Sequence, residues 1–160
     1  MISTPESERK AEDNQNKKNS KRGWRQGFYT PNNPEKYKGD VENIVFRSSW
    51  ELSFAKFLDG NPNVLEWSSE EFFVPYFNPA KKRNARYYPD FWVKYQNKHG
   101  QIIQEVIEVK PHNQVQRPKK GNKYEQAQWF VNMAKWEAAI KFCKQKGLLF
   151  RVLTERKMFK

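Results

Sequence analysis

Apolar and polar positions alternate with different periods along the chain, and each change of period marks an element. Trp50, Phe54, Phe57 and Leu58 recur at i, i+4, i+7 and i+8, which predicts a helix beginning at Ser48 or Ser49. Asp59-Gly60-Asn61-Pro62 predicts its end, with Gly60 as the capping residue and the proline beyond it. A first strand is expected around Val64-Leu65-Glu66-Trp67. A second is expected at Phe72-Phe73-Val74-Pro75-Tyr76-Phe77, where Pro75 directs it to a sheet edge or a bend. Phe91 to Tyr95 and Ile102 to Val109, both rich in aromatic and β-branched residues, flank a turn at Gln96 to Gln101 and read as a hairpin. From about Lys123 to Lys146 there are two apolar stripes: Tyr124, Ala127, Val131, Ala134 and Ala138, then Trp129, Met133, Trp136, Ile140 and Cys143. They predict a long helix buried on two sides. Gly147 caps it, and Leu148 to Leu153 reads as a last buried strand. These helices and strands suit an α/β sandwich with a central mixed sheet flanked by helices.

Two segments fall outside this periodicity. Residues 1–27 are polar, with almost nothing to bury, and are expected to form a disordered basic N-terminal tail. Lys17, Lys18, Lys21, Arg22 and Arg25 would make it an arm on DNA; with Trp24 and Phe28 as anchors it would instead order against a protein. Residues 28–47 begin the folded domain (28–160) as an extended loop, since the prolines and tyrosines of 29–40 do not suit a helix. The periodicity offers no account of what this loop binds.

Charge narrows the class of partner. Thirty Lys and Arg against 18 Asp and Glu leave the 160-residue chain at +12, which points to a polyanion. Residues 110–160 carry thirteen of the basic side chains and three of the acidic ones. One cysteine, Cys143, excludes an intramolecular disulfide and reads as a small core residue. No apolar run approaches the ~20 residues needed to span a bilayer, and nothing resembles a signal peptide. The expectation is a soluble protein with no membrane partner.

The hairpin carries the candidate chemistry. In an antiparallel pair without a bulge, a turn centred on His99 sets Asp90 opposite Glu108, with Cβ atoms roughly 4.5–5.5 Å apart. Lys110, two residues on, projects from the same face as Glu108, whereas Val109 points to the other and belongs to the core. Two facing carboxylates are the usual seat of a hard divalent cation such as Mg²⁺, with Mn²⁺ as a substitute, and a neighbouring ammonium can orient water or stabilise developing charge. That set suits metal-assisted phosphodiester hydrolysis; the bland alternative is a turn cap and an exposed Glu-x-Lys of the kind Glu105 suggests. Lys81, Lys82, Arg83 and Arg86 lie on the same hairpin system. Arg117, Lys119 and Lys120 lie in the loop after Lys110. All seven are candidate phosphate contacts, or else solvated turns. Glu70 and Glu71 read most simply as solvated. Gln128 and Lys135 sit at stripe edges, as simple boundary positions or as residues facing the site, and His112 is a lone loop histidine left out of the site.

Pro89-Asp90, followed by Glu108-Val109-Lys110, resembles the P-D-x(n)-(D/E)-x-K signature of the PD-(D/E)XK nucleases. The segments Tyr29 to Asp40, Arg47-Ser-Ser-Trp-Glu51 and Asn61 to Glu71 resemble the head completion nucleases of T-even-like tailed phages. That family is itself similar to the transposon end-cleaving subunit of the superfamily. The resemblance covers residues 28 to 155 and implies a restriction-endonuclease-like αβββαβ core. It also implies an Mg²⁺-dependent endodeoxyribonuclease with Asp90, Glu108, Lys110 and Glu51 as site residues. Metal ligation by Asp90, Glu108, Glu51 and the Val109 carbonyl is implied in the same way. Glu51 also completes a Ser48-x-x-Glu51 capping box, so a role confined to the helix start stays open. The resemblance further implies a place in the virion head or neck, assembly in the host cytoplasm, and partners among DNA and portal or neck proteins, with several copies per neck. Two other roles fit the same residues. One is a structural connector that keeps the fold and binds DNA and neck partners without catalysis. The other is a transposon-type end-cleaving subunit, which the lack of an obvious second domain disfavours.

Overall fold

The computed structural model describes residues 27–119 and 122–158. Residues 1–26 of the expected tail (1–27) and the candidate DNA contact Lys120 therefore lie outside the described residues, whereas Gly27, the last residue of that tail, is paired with Phe46 in a short ladder. In chain order the elements are β1 (Gly27–Phe28), β2 (Val45–Phe46), α1 (Ser49–Gly60), β3 (Val64–Ser69), β4 (Val74–Asn78), β5 (Arg83–Tyr87), β6 (Phe91–Gln96), β7 (Ile102–Val109), α2 (His112–Val115), α3 (Lys123–Lys146), β8 (Leu149–Leu153) and α4 (Glu155–Met158).

A four-stranded mixed sheet lies at the centre in the order β3-β6-β7-β8, antiparallel except for the last pair. The β6–β7 ladder sets Phe91 opposite Ile107 and Trp92 opposite Val106, the register expected from a turn centred on His99. The predicted second strand takes a different place. β4 pairs only with β5, as a separate antiparallel hairpin inserted between β3 and β6. β5 and β6 are separated at Tyr88-Pro89, where proline cannot donate to a ladder. With that hairpin set aside, α1, β3, β6, β7, α3 and β8 give the expected αβββαβ succession.

Each face of the sheet buries its own core. On one face, Phe54, Ala55 and Leu58 of α1 meet Trp67, Phe91, Val93, Ile107 and Val109. Phe54 stands edge-on to Phe91 with 5.1 Å between centroids, an arrangement worth about 0.5–1.5 kcal/mol beyond area burial. On the other, α3 packs against β4 and β8, enclosing Val74, Tyr76, Tyr87, Val131, Trp136 and Ala139. α3 buries one stripe drawn from both predicted ones, together with Cys143, while Tyr124 and Ile140 are exposed. β8 is an edge strand whose Leu149 and Arg151 face outward, so it is less buried than its apolar run implies. Phe57 is likewise exposed, and α1 turns Asp59 inward instead. Helical geometry continues through Gly60, making Asn61 the cap of α1. Gly147 does cap α3, in the left-handed conformation glycine adopts at no steric cost.

The loop at 28–47 is a strap tied to the end of α1. Asp59, 1% exposed, accepts hydrogen bonds from the Tyr29 hydroxyl (2.7 Å) and from the backbone N–H groups of Asn32 (2.7 Å) and Asn33 (3.0 Å). Lys36 donates to the terminal carbonyls of Leu58, Asp59 and Asn61, capping the helix with a positive charge. Further on, Tyr37 packs edge-on against the fully buried Trp67 and donates to Glu71. Gly39 passes so close that a Cβ there would run into the Glu71 carboxylate. Glu71 is thus buried structure, not the solvated acid the sequence suggested. We expect Asp59→Ala to leave two part-buried N–H groups and a buried hydroxyl without their acceptor and to cost about 2–4 kcal/mol. Urea denaturation would show it as a lower midpoint with an unchanged slope.

Candidate active site

At the end of the β6–β7 ladder the structure brings together Asp90, Glu108, Lys110 and Glu51. Asp90 directly precedes β6, and its Oδ2 accepts from the Val109 N–H at 2.8 Å. The carboxylate therefore closes the ladder where the regular pairing stops. Glu108 is buried on β7; its Oε2 accepts from the Tyr87 hydroxyl at 2.6 Å, and Lys110 Nζ stands 3.9 Å from Oε1. Val109, of opposite parity, is packed into the α1 core as expected. Glu51 stands at the start of α1, where Ser48 Oγ accepts from its N–H and its own Oε2 accepts from the Arg47 N–H. The capping pattern is thus present, displaced by one residue, on a side chain that also senses the charge of Glu108 and Glu70.

Three further residues border the candidate site. Glu70, read as solvated, is 7% exposed and held by Arg47 through Nε at 2.7 Å and Nη2 at 2.9 Å. It adopts φ +52°, a conformation that costs a non-glycine residue stability, and its N–H donates to the Asp90 carbonyl. Its one sequence signal was a place directly after a strand, inside a segment shared with the resembling family. Tyr87, at the end of β5, carries no sequence signal for the site, because its hydroxyl reaches Glu108 across 21 residues. Lys135, a stripe-edge position with both a boundary and a site-facing reading, lies 5.7 Å from the Tyr87 ring and 6.0 Å from that of Tyr76, and its charge favours the ionised form of Glu108. Glu105, by contrast, is neither solvated nor in the site: it is buried between the Tyr95 hydroxyl and Arg151.

The seven cations proposed for DNA divide by location. Lys81, Lys82, Arg83 and Arg86 are exposed along the β4–β5 hairpin, where the Arg86 guanidinium rests 4.7 Å over Phe73. Arg117 and Lys119 line a groove of about 680 Å³ that begins at Lys110 and runs along α3 past Gln128 and Lys135. His112 is tied to Glu155 and Gln116, away from the acids.

The donors are hard oxygen atoms, which suit Mg²⁺ or Mn²⁺. Among the described residues, no three His, Cys, Asp or Glu side chains are grouped closely enough to hold an ion between them. The facing pair Asp90 and Glu108 matches the one or two carboxylates that Mg²⁺ ordinarily takes, water and phosphate completing its shell. The electrostatics favour a cation. Burial, then the charges of Glu108, Glu51 and Glu70, raise the Asp90 carboxyl well above its usual range. Burial raises Glu108 as well, against the opposing hydrogen bond from Tyr87. Glu51 is pushed up to about 7, chiefly by burial, with the Arg47 N–H bond working the other way. A carboxyl whose folded pKa is raised is comfortable in the fold while protonated, and that benefit fades as pH climbs from about 4.5 through 7. Without metal, the protein is therefore expected to lose stability over that interval. Glu51→Gln cannot ionise but can still accept from Arg47. In EDTA at pH 8 we expect it to exceed wild type by about 1 kcal/mol, or ~2–4 °C in thermal midpoint, and to match it at pH 5. A wild type more stable than the variant at pH 8 would contradict this electrostatic account.

Comparison with known proteins agrees with the geometry. The family model for the TnsA-like endonuclease N terminal matches residues 61–155. The head completion nuclease of Enterobacteria phage T4 is 38% identical over 139 residues, covering 81% of this chain and 90% of that protein. Asp90, Glu108 and Lys110 all fall within the segment that the family model matches, and the chain belongs to the TnsA-like endonuclease family as a homologue of the phage head completion nuclease.

Proposed function

We propose that this protein is a metal-dependent DNA endonuclease of the PD-(D/E)XK type, with a restriction-endonuclease-like core, that acts in tailed-phage head completion. The observation that carries the reading is the meeting of Asp90, Glu108 and Lys110 at the end of one ladder, with too much buried negative charge to be comfortable without a cation. Asp90 and Glu108 would hold Mg²⁺, with Glu51 behind them and the Val109 carbonyl beside them. When bound, the ion would acidify a water and neutralise charge at the scissile phosphate. The chain's own groups supply the rest. Tyr87 fixes the Glu108 carboxylate through Oε2 and leaves Oε1 toward Lys110. The Lys110 ammonium stands where it can orient the attacking water or bond the phosphate oxygen on which charge develops. Arg47 neutralises Glu70, so the fourth acid does not add its full charge to the site. Lys81, Lys82, Arg83, Arg86, Arg117, Lys119 and Lys120 would contact phosphates on either side, and these contacts would be salt-sensitive. The partners would be DNA and portal or neck proteins, in the virion neck.

Cleavage of plasmid and linear duplex DNA tests this reading. Wild type with Mg²⁺ or Mn²⁺ is expected to cut, and EDTA to stop it. Asp90→Asn and Lys110→Ala, folded by circular dichroism, should each lose at least about a hundredfold in rate. Tyr87→Phe should keep the fold and lose less, since it removes an orienting bond and leaves the ligands in place. Folded wild type that does not cut, or three enzymes that cut equally, would shift the assignment to a connector with a silent site.

A further inference from the structure

The groove that starts at Lys110 has features that phosphate contact with a duplex leaves unused. It lies between the loop after β7 and α3, and its walls carry Lys110, Arg117, Lys119 and Lys135 against a single acid, Glu125. Lys110 and Lys135 also border the acid pair, so groove and candidate active site are continuous. Aromatic rings share the same walls. Tyr124 is 71% exposed, and Trp129 lies beneath the Arg117 guanidinium, 5.5 Å from its ring centre. Phe130, half exposed, lines an adjoining hollow with Arg117 and Trp129, edge-on to Trp129 and 5.9 Å from the same guanidinium. The Trp129 indole N–H is buried and has no hydrogen-bond partner among the described residues. Gln128 and Asn132 add amides along the helix.

A duplex offers such a wall only phosphates and groove edges, because its bases are stacked on one another. An unpaired strand offers a charged backbone together with free base faces, and a basic groove studded with aromatic rings binds both at once. On this wall the exposed Tyr124 and the half-buried Trp129 stand beside the positive charge that would hold a backbone. Resting on the nuclease reading for the position of the scissile phosphate, we infer that this groove seats an unpaired strand of DNA. The preferred substrate is then DNA with a single-stranded segment adjoining the cleavage point, such as a frayed or tailed end. Stacking on Tyr124 and Trp129 is indifferent to base identity, so the preference is for strand structure and not for sequence.

The test is equilibrium binding by fluorescence anisotropy in EDTA, where nothing is cut. The full chain is titrated with a labelled blunt duplex and with the same duplex bearing a single-stranded tail. Wild type should bind the tailed form more tightly. Trp129→Ala and Tyr124→Ala should each weaken tailed binding roughly five- to a hundredfold, and the tailed-to-blunt ratio should fall toward one. Because Trp129 is half-buried, the exposed Tyr124 carries the test if Trp129→Ala does not fold. Equal affinity of wild type for the two DNAs overturns the inference. So do variants that weaken both equally, which would make the groove a phosphate face only. Variants that alter neither also overturn it and would assign the aromatics to a protein partner. Failure of the nuclease reading looks different: a folded wild type that prefers the tail yet cuts nothing refutes that reading and leaves the groove's preference standing. One that cuts but binds both DNAs alike does the reverse.

Discussion

The pairing of Phe91 with Ile107 is the constraint on which the rest of the site depends. Side chains alternate across a sheet, so a slip of one residue would exchange the two faces of β7. Glu108 and Lys110 would turn to the α1 side, and Ile107 and Val109 would turn out of the core. The burial of Phe91, Val93, Ile107 and Val109 against α1 prevents that slip. The apolar energy that stabilises the sheet is therefore the same energy that sets two carboxylates and a lysine at its end. Where the ladder runs out, the Val109 N–H bonds the Asp90 carboxylate itself, so the last backbone donor of the strand orients a site residue.

Holding acids this close works against the fold, and the surrounding side chains show how the strain is limited. Arg47 grips Glu70 through two nitrogens, Tyr87 donates to Glu108, and Lys110 and Lys135 both lower the cost of ionising it. None of these removes the raised pKa of Asp90 or Glu51. Carboxyls perturbed by burial and by one another's charge cluster at functional sites, and Asp90, Glu108 and Glu51 have that character. Membership of an endonuclease family agrees with such an arrangement.

The strap before α1 has a different task. Asp59 and Glu71 are buried carboxylates satisfied by hydroxyl and backbone donors. Through them the strap fixes the far end of α1 and the exit of β3. The first carries Glu51 at its opposite end, and the second leads directly into Glu70. The strap, which carries no candidate chemistry of its own, is thus part of the frame that places two of the four acids.

What the sequence determined by itself were the features set by neighbours along the chain. Helical and strand periods, the Gly147 cap, the turn centred on His99 and the opposition of Asp90 and Glu108 follow from local stereochemistry and from the fixed sum of indices across a hairpin. The site's central pair was legible for that reason. Only the tertiary structure decided the fates of Glu70, Glu71 and Glu105, because the partners that bury them, Arg47, Tyr37 and Arg151, lie 23, 34 and 46 residues away. It also decided that β4 and β5 leave the main sheet and that Tyr87 reaches Glu108. An acid next to a strand looks the same in sequence whether water or a distant guanidinium receives it, and that choice is made by the approach of chain segments that no local pattern encodes.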